Sequence, residues 1–216
     1  MGQSRVRPPG GLAPGASALQ GLLARWGLKP GAASAMGIAE RLAAWMDWRD
    51  AIALAQALQP GAAQPTLLRW DGAAALERLQ RELHLSFADR ALVHDAADPA
   101  SYRLHHANQQ RLMAARIAPL RERLRQQLQG FGPQAAQLAA LDAVFEQAFA
   151  AREQQALAAL PSMLARRAAL LRAQEIDWQT PLWTELQQAL NAELELRLQA
   201  LWGLLEALQA HSKDAP

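Results

Sequence analysis

The chain has no cysteine. That excludes disulfides, cysteine nucleophiles and thiolate metal clusters, and it agrees with a reducing compartment without requiring one, because a bundle of this length needs no covalent staple. Lysine is nearly absent. Lys29 and Lys213 stand alone among basic residues that are otherwise all arginine, and with so much Ala, Gly and Pro the composition reads as a GC-rich bacterial coding sequence. An excess of one charge is missing too: 22 basic residues face 20 acidic ones for a formal +2, so the whole-chain field does not argue for nucleic acid. No long hydrophobic run occurs, since Gln, Arg or Glu recurs every few positions and no window approaches the roughly 20 apolar residues of a membrane span. Pro8, Pro9, Gly10, Gly11, Pro14 and Gly15 likewise interrupt any apolar core of a secretory signal. The expectation is a soluble, cytoplasmic protein.

What is present is helical periodicity. The 216 residues, 51% hydrophobic, suffice for one domain or a bundle with an appendage. The predicted fold is all-α: an antiparallel helical bundle of long C-terminal helices over residues 99–212, a smaller N-terminal helical subdomain over 17–98, and a disordered Gly/Pro-rich arm over 1–16. Predicted helices cover 17–26 and 34–58, where Ile38, Leu42, Trp45, Met46, Trp48 and Ile52 share one side and both tryptophans are expected in the core. Residues 60–65 read as a loop. Asp71 is expected to cap a helix reaching His84 or Phe87, and Asp98-Pro99 to mark a turn.

The helix over 101–129 sets Tyr102, Met113, Ile117, Leu120, Leu124 and Leu128 within an arc of about 80°. Its other faces carry Arg103, Arg111, Arg116, Arg121, Arg123 and Arg125 against Glu122 alone. After Gly130-Phe131-Gly132-Pro133, the next helix is expected to bury Leu138, Leu141, Val144, Phe145, Ala148 and Phe149, and to kink or restart at Pro161. The last helix, capped near Thr180, spreads its leucines with Trp183 and Trp202 over about 200°, too wide for one seam, so it belongs at the bundle centre or an oligomer contact. Its charges are Asp177, Glu185, Glu193, Glu195 and Glu206 against Arg197, which suggests electrostatic register with the Arg-rich helix.

Catalytic signatures are wanting. There is no phosphate loop ending in Gly-Lys-Ser/Thr and no Gly-x-Ser-x-Gly elbow. Adjacent His105 and His106 point about 100° apart and do not readily share a metal, and His94, Asp95, Asp98 and His105 read as a polar loop and helix start. Asp142 and Glu146 are spaced i,i+4, but the accompanying Glu-x-x-His motifs of carboxylate metal bundles are missing, so a solvated face is expected. No cofactor or metal is therefore assigned. Two features break the apolar pattern: Arg152 falls in the Phe145/Phe149 sector, and Glu193/Arg197 sit at the edge of the last leucine stripe. They either extend their charged ends to solvent or form a buried network that sets register.

Three stretches together resemble a known family: residues 40–54 with their Trp-x-x-Trp-x-Asp-Ala core, 141–148 (Leu-Asp-Ala-Val-Phe-Glu-Gln-Ala) with Ala151-Arg152-Glu153 and Leu160-Pro161, and 192–199 with Gly203-Leu204-Leu205. The chain is similar to uncharacterised proteobacterial proteins, a domain of unknown function, associated with operons encoding MotA/TolQ-type and OmpA-type envelope proteins. No activity or catalytic residue carries over. The resemblance implies an accessory of an envelope-spanning complex, possible as a membrane-complex subunit without a span of its own. The expected function is accordingly a non-enzymatic interaction or scaffold protein with a protein partner or a second copy of itself. Its interaction candidates are Arg152, Glu193, Arg197 and Trp202. The alternative is a nucleic-acid binder acting through Arg121, Arg123 and Arg125.

Overall fold

The structure is a computed structural model that describes residues 14–27, 46–59, 70–93, 95–174 and 177–213. Most of the expected arm, the first half of the helix expected over 34–58, Trp45 and the 60–65 loop lie outside the described residues. Regular structure among the described residues is entirely helical: α1 (Pro14–Arg25), α2 (Trp48–Ala57), α3 (Gly72–Ala88), a 3-10 turn (Arg90–Leu92), α4 (Pro99–Gln129), α5 (Pro133–Ala158), α6 (Leu160–Gln174) and α7 (Gln179–Lys213).

Local chemistry explains the boundaries. Asp47 and Asp50 form a reciprocal capping box, each carboxylate accepting from the other's backbone N–H, so a helix starts at Trp48 rather than running through it. Placed in the first turn, Trp48 is 68% exposed, which corrects its assignment to the core, and Ile52 is 49% exposed. Asp71 accepts from the Ala74 N–H at 2.9 Å to open α3, and Asp98 from the Ala100 N–H at 2.9 Å to open α4, with Pro99 where no donor is needed. Between α4 and α5, Gly132 takes φ 121°, a conformation that a side chain disfavours. The restart expected at Pro161 is realised, since α5 ends at Ala158 and α6 begins at Leu160 with Pro161 in its first turn.

α7 is the centre of the bundle. It packs against α1, α3, α4, α5 and α6. Leu182, Leu186, Leu190, Leu198 and Leu201 have no exposed surface at all, which is how a 200° apolar arc is satisfied inside one chain. α4 contributes the predicted seam, with Tyr102, Met113, Ile117, Leu124 and Leu128 buried. The same core takes Leu22 and Trp26 from α1 and Leu76, Leu79, Leu83 and Phe87 from α3, so residues before and after 98 share it. Gly72 permits one close approach: a Cβ there would lie 2.7 Å from Leu124 Cδ2 and 3.0 Å from Leu205 Cδ2.

Polar side chains close the helix ends that this packing buries. At the end of α3, the Ser86 and Phe87 carbonyls accept from Gln109 on α4 (3.3 Å) and Gln187 on α7 (2.6 Å). α1 is fastened to α7 by Trp26, whose indole N–H donates to Glu185 at 2.7 Å, while Arg167 of α6 grips the same carboxylate at 2.8 Å.

Candidate interaction cleft

α5 is held differently from the other long helices. Only Ala135, Ala136, Ala139 and Leu157 are buried on it, and none from 140 to 156. Leu138, expected inside, is 43% exposed, and Phe145 and Phe149 are half-buried. The cause is electrostatic. At about 100° per residue, Ala135, Ala139, Asp142, Glu146, Glu153 and Leu157 share one face, and the Leu138/Phe145/Phe149/Arg152 face is rotated roughly 90° from it. The acidic face is the one turned toward α4.

There it meets two arginines. Arg121 makes a bidentate pair with Asp142 at 2.7 and 2.8 Å and reaches Glu146 at 3.4 Å. Arg125, 8% exposed, bonds Glu146 at 2.6 Å, Glu122 at 2.8 Å and Asp142 at 3.1 Å. Burial opposes its charge, yet the bonds from Glu146 and Glu122 outweigh that and hold the guanidinium above its ordinary pKa. Arg121 and Arg125 thus pair with α5 rather than with the acidic last helix, and Asp142/Glu146 form an ion-pair face rather than a solvated one. Arg123 instead lies over the Trp70 ring at 4.3 Å.

The carboxylates of α7 are engaged elsewhere. Glu193 has no exposed surface. It accepts from Arg197 at 2.8 and 3.0 Å and from Gln110 Nε2 at 3.0 Å. Arg197 also reaches Glu153 at 3.3 Å, which links α7 to α5, while its neighbour Arg152 is exposed. Arg152 lies on the Phe145/Phe149 side of α5, where periodicity puts it, and extends to solvent. Trp202, on the outer side of α7, is 40% exposed.

Between these two ion-pair clusters lies a cleft of about 740 Å³ bounded by α4, α5 and α7. Its floor is small and apolar, with Ala107, Ala114 and Ala118 on α4 and Ala200 on α7. Phe145 and Phe149 line its α5 wall, stacked at 5.8 Å with an interplanar angle of 10°. Sequence reasoning missed Gln110 and Glu153, whose roles depend on partners 83 and 44 residues away; the signal that was available is the i,i+4,i+11 stripe of acids at 142, 146 and 153. Among the described residues no helix is long and apolar enough to cross a membrane, and no group of three His, Cys, Asp or Glu side chains is arranged for a metal. Neither the curated proteins nor the solved structures yield a match. The family described as "Protein of unknown function (DUF3348)" matches residues 5–210, and the chain belongs to it.

Proposed function

We propose that this protein is a non-enzymatic interaction module whose α4/α5/α7 cleft receives one helix of a partner protein. The observation that carries the reading is the cleft itself, an alanine floor with a phenylalanine wall set between charged ends. Its α4 lining runs from Ala107 to Arg121, about 21 Å of helix at 1.5 Å per residue. A helix roughly 10 Å across and 18 Å long, sunk to half its depth, occupies on the order of 700 Å³. Alanines on the floor let a helix axis approach closely, and the phenylalanine wall offers an apolar face for it to pack against. The family resemblance extends the reading to a cytoplasmic accessory of an envelope-spanning complex in proteobacteria, so MotA/TolQ-type subunits are the first partners to test.

Nucleic-acid binding draws less support. Arg121 and Arg125 direct their donors at carboxylates and Arg123 lies on Trp70, so the candidates for phosphate contact are largely satisfied within the chain.

The test is a photo-crosslinking amino acid at Phe149 in the native organism, with the exposed Leu85 of α3 as control site. One protein, crosslinked through a helix at 149 and not at 85, is expected. Adducts only between copies of this chain would make the cleft a self-association site, and equal, diffuse labelling from both positions would sink the proposal.

A further inference from the structure

Beneath the cleft lies a group of ionisable side chains that docking does not use. His106 is 1% exposed and Glu193 0%. Glu193 Oε1 is taken by the Arg197 guanidinium and Oε2 by Gln110. His106 Nε2 stands 3.6 Å from that same Oε2, just beyond a hydrogen bond, and neither ring nitrogen of His106 has a hydrogen-bond partner among the described residues. Polar groups buried this deeply are ordinarily bonded. An imidazole that lacks partners on both nitrogens beside a buried carboxylate therefore calls for a reason.

The surrounding charges supply one. On α7 stand Glu193 and Arg197; α5 presents Glu153 to Arg197; α4 brings His105 and Gln110. Glu193 is fully buried and shares its one guanidinium with Glu153, and its free side faces a basic ring. We propose that His106 and Glu193 together form a buried binding site for one proton, held on the Oε2···Nε2 axis.

In one form Nε2–H of the imidazolium donates to the carboxylate; in the other the Oε2–H of the carboxylic acid donates to Nε2. Either form closes the 3.6 Å gap to a hydrogen bond and leaves Oε1 to Arg197. Burial pushes the two groups in opposite senses: it lowers His106 to about 4, with the charges of His105 and Arg197 acting in the same direction, and it raises Glu193 above the usual carboxylate value against the pull of Arg197 and Gln110, which brings their proton affinities together. The proton then belongs to the pair rather than to either residue. Gln110 carries the state outward: its amide donates both to Glu193 Oε2 and to the Leu157 carbonyl at 3.0 Å, joining the charge on α7 to the wall of the cleft. This site stands independently of what docks above it.

The test is a side-chain NMR titration of the histidines in the full chain from pH 7.5 to 4, with circular dichroism confirming the fold at each point. One imidazole, absent from His106→Gln, is expected to protonate at least about one pH unit below the ordinary histidine value of about 6.5. In Glu193→Gln its midpoint falls by about one further unit, a tenfold loss of proton affinity, because the negative partner is gone. Titration at the ordinary value, or an identical midpoint with and without the Glu193 carboxylate, overturns the proposal. If Glu193→Gln does not fold, Glu193→Asp draws the charge back from Nε2 and must lower the midpoint in the same sense; an unchanged midpoint there overturns it equally.

Discussion

α5 and α7 are long, Leu/Ala-rich helices that look alike as sequence, and the bundle uses them in opposite ways. α7 buries apolar side chains around more than half its circumference. α5 turns a face of alanine and carboxylates inward and leaves its phenylalanines half-exposed at a cleft. The hydrophobic stripe decides the orientation where no buried charge competes with it. Where Arg125 is buried on the neighbouring helix, the carboxylates that compensate it decide instead, since an unpaired buried guanidinium costs more than two half-exposed aromatics recover.

The sharpest way to break this contrast is to remove the charge that orients α5. Arg125→Met leaves Asp142 and Glu146 to Arg121 alone and takes the guanidinium from Glu122, and stability is expected to fall by about 3–5 kcal/mol in urea denaturation. A loss under about 1 kcal/mol would mean that α5 is held by its alanines. On α7 the same experiment tests packing: Leu190→Ala at a site with 0% exposure should cost about 3 kcal/mol, against less than about 1 kcal/mol for Leu141→Ala on α5. Equal costs would erase the distinction between the helices.

Acid sharpens the comparison from the α7 side. The His106 pKa lies at about 4 in the folded chain, against an ordinary 6.5. Its folded value is the lower one, so its contribution is fully present above about pH 6.5 and is lost as the pH falls toward 4, by up to about 3 kcal/mol. Glu193, raised by burial, acts in the opposite sense and offsets part of that loss. His106→Gln should therefore close the gap to the parent, or overtake it, between pH 7 and pH 4.5; parallel stability curves for the two would contradict the assignment. The smallest effect is expected at the cleft wall. Phe145→Ser should change stability by under about 1 kcal/mol while abolishing the partner crosslink from residue 149, and loss of both together would make the wall structural.

Much of the fold was legible in the sequence because it rests on local chemistry. Asp71, Asp98, Pro133 and Pro161 mark helix starts by removing or satisfying a donor, and the α4 seam and the α7 arc follow from 3.6-residue periodicity. The candidate site was legible only in part. Glu193 and Arg197 stand out because they interrupt an apolar stripe at i,i+4 spacing. That Glu153 joins them depends on the rotation of α5, where Asp142 and Glu146 pair with arginines 17 to 21 residues from them on another helix. Periodicity counts Phe145 and Phe149 toward the core because it weighs side chains one helix at a time. Trp48 failed for a smaller reason: a capping box at Asp47/Asp50 divides what reads as one continuous amphipathic pattern.

The central position of α7 has a consequence for synthesis. α1, α3, α4 and α6 all bury surface on a helix that leaves the ribosome after them. At about 5–20 residues per second, α1 waits on the order of 10–40 s for the surface that covers Leu22 and Trp26. Until then the faces of α1, α3 and α4 that pack on α7 lack their partner, so the centre of the bundle is the last part to close.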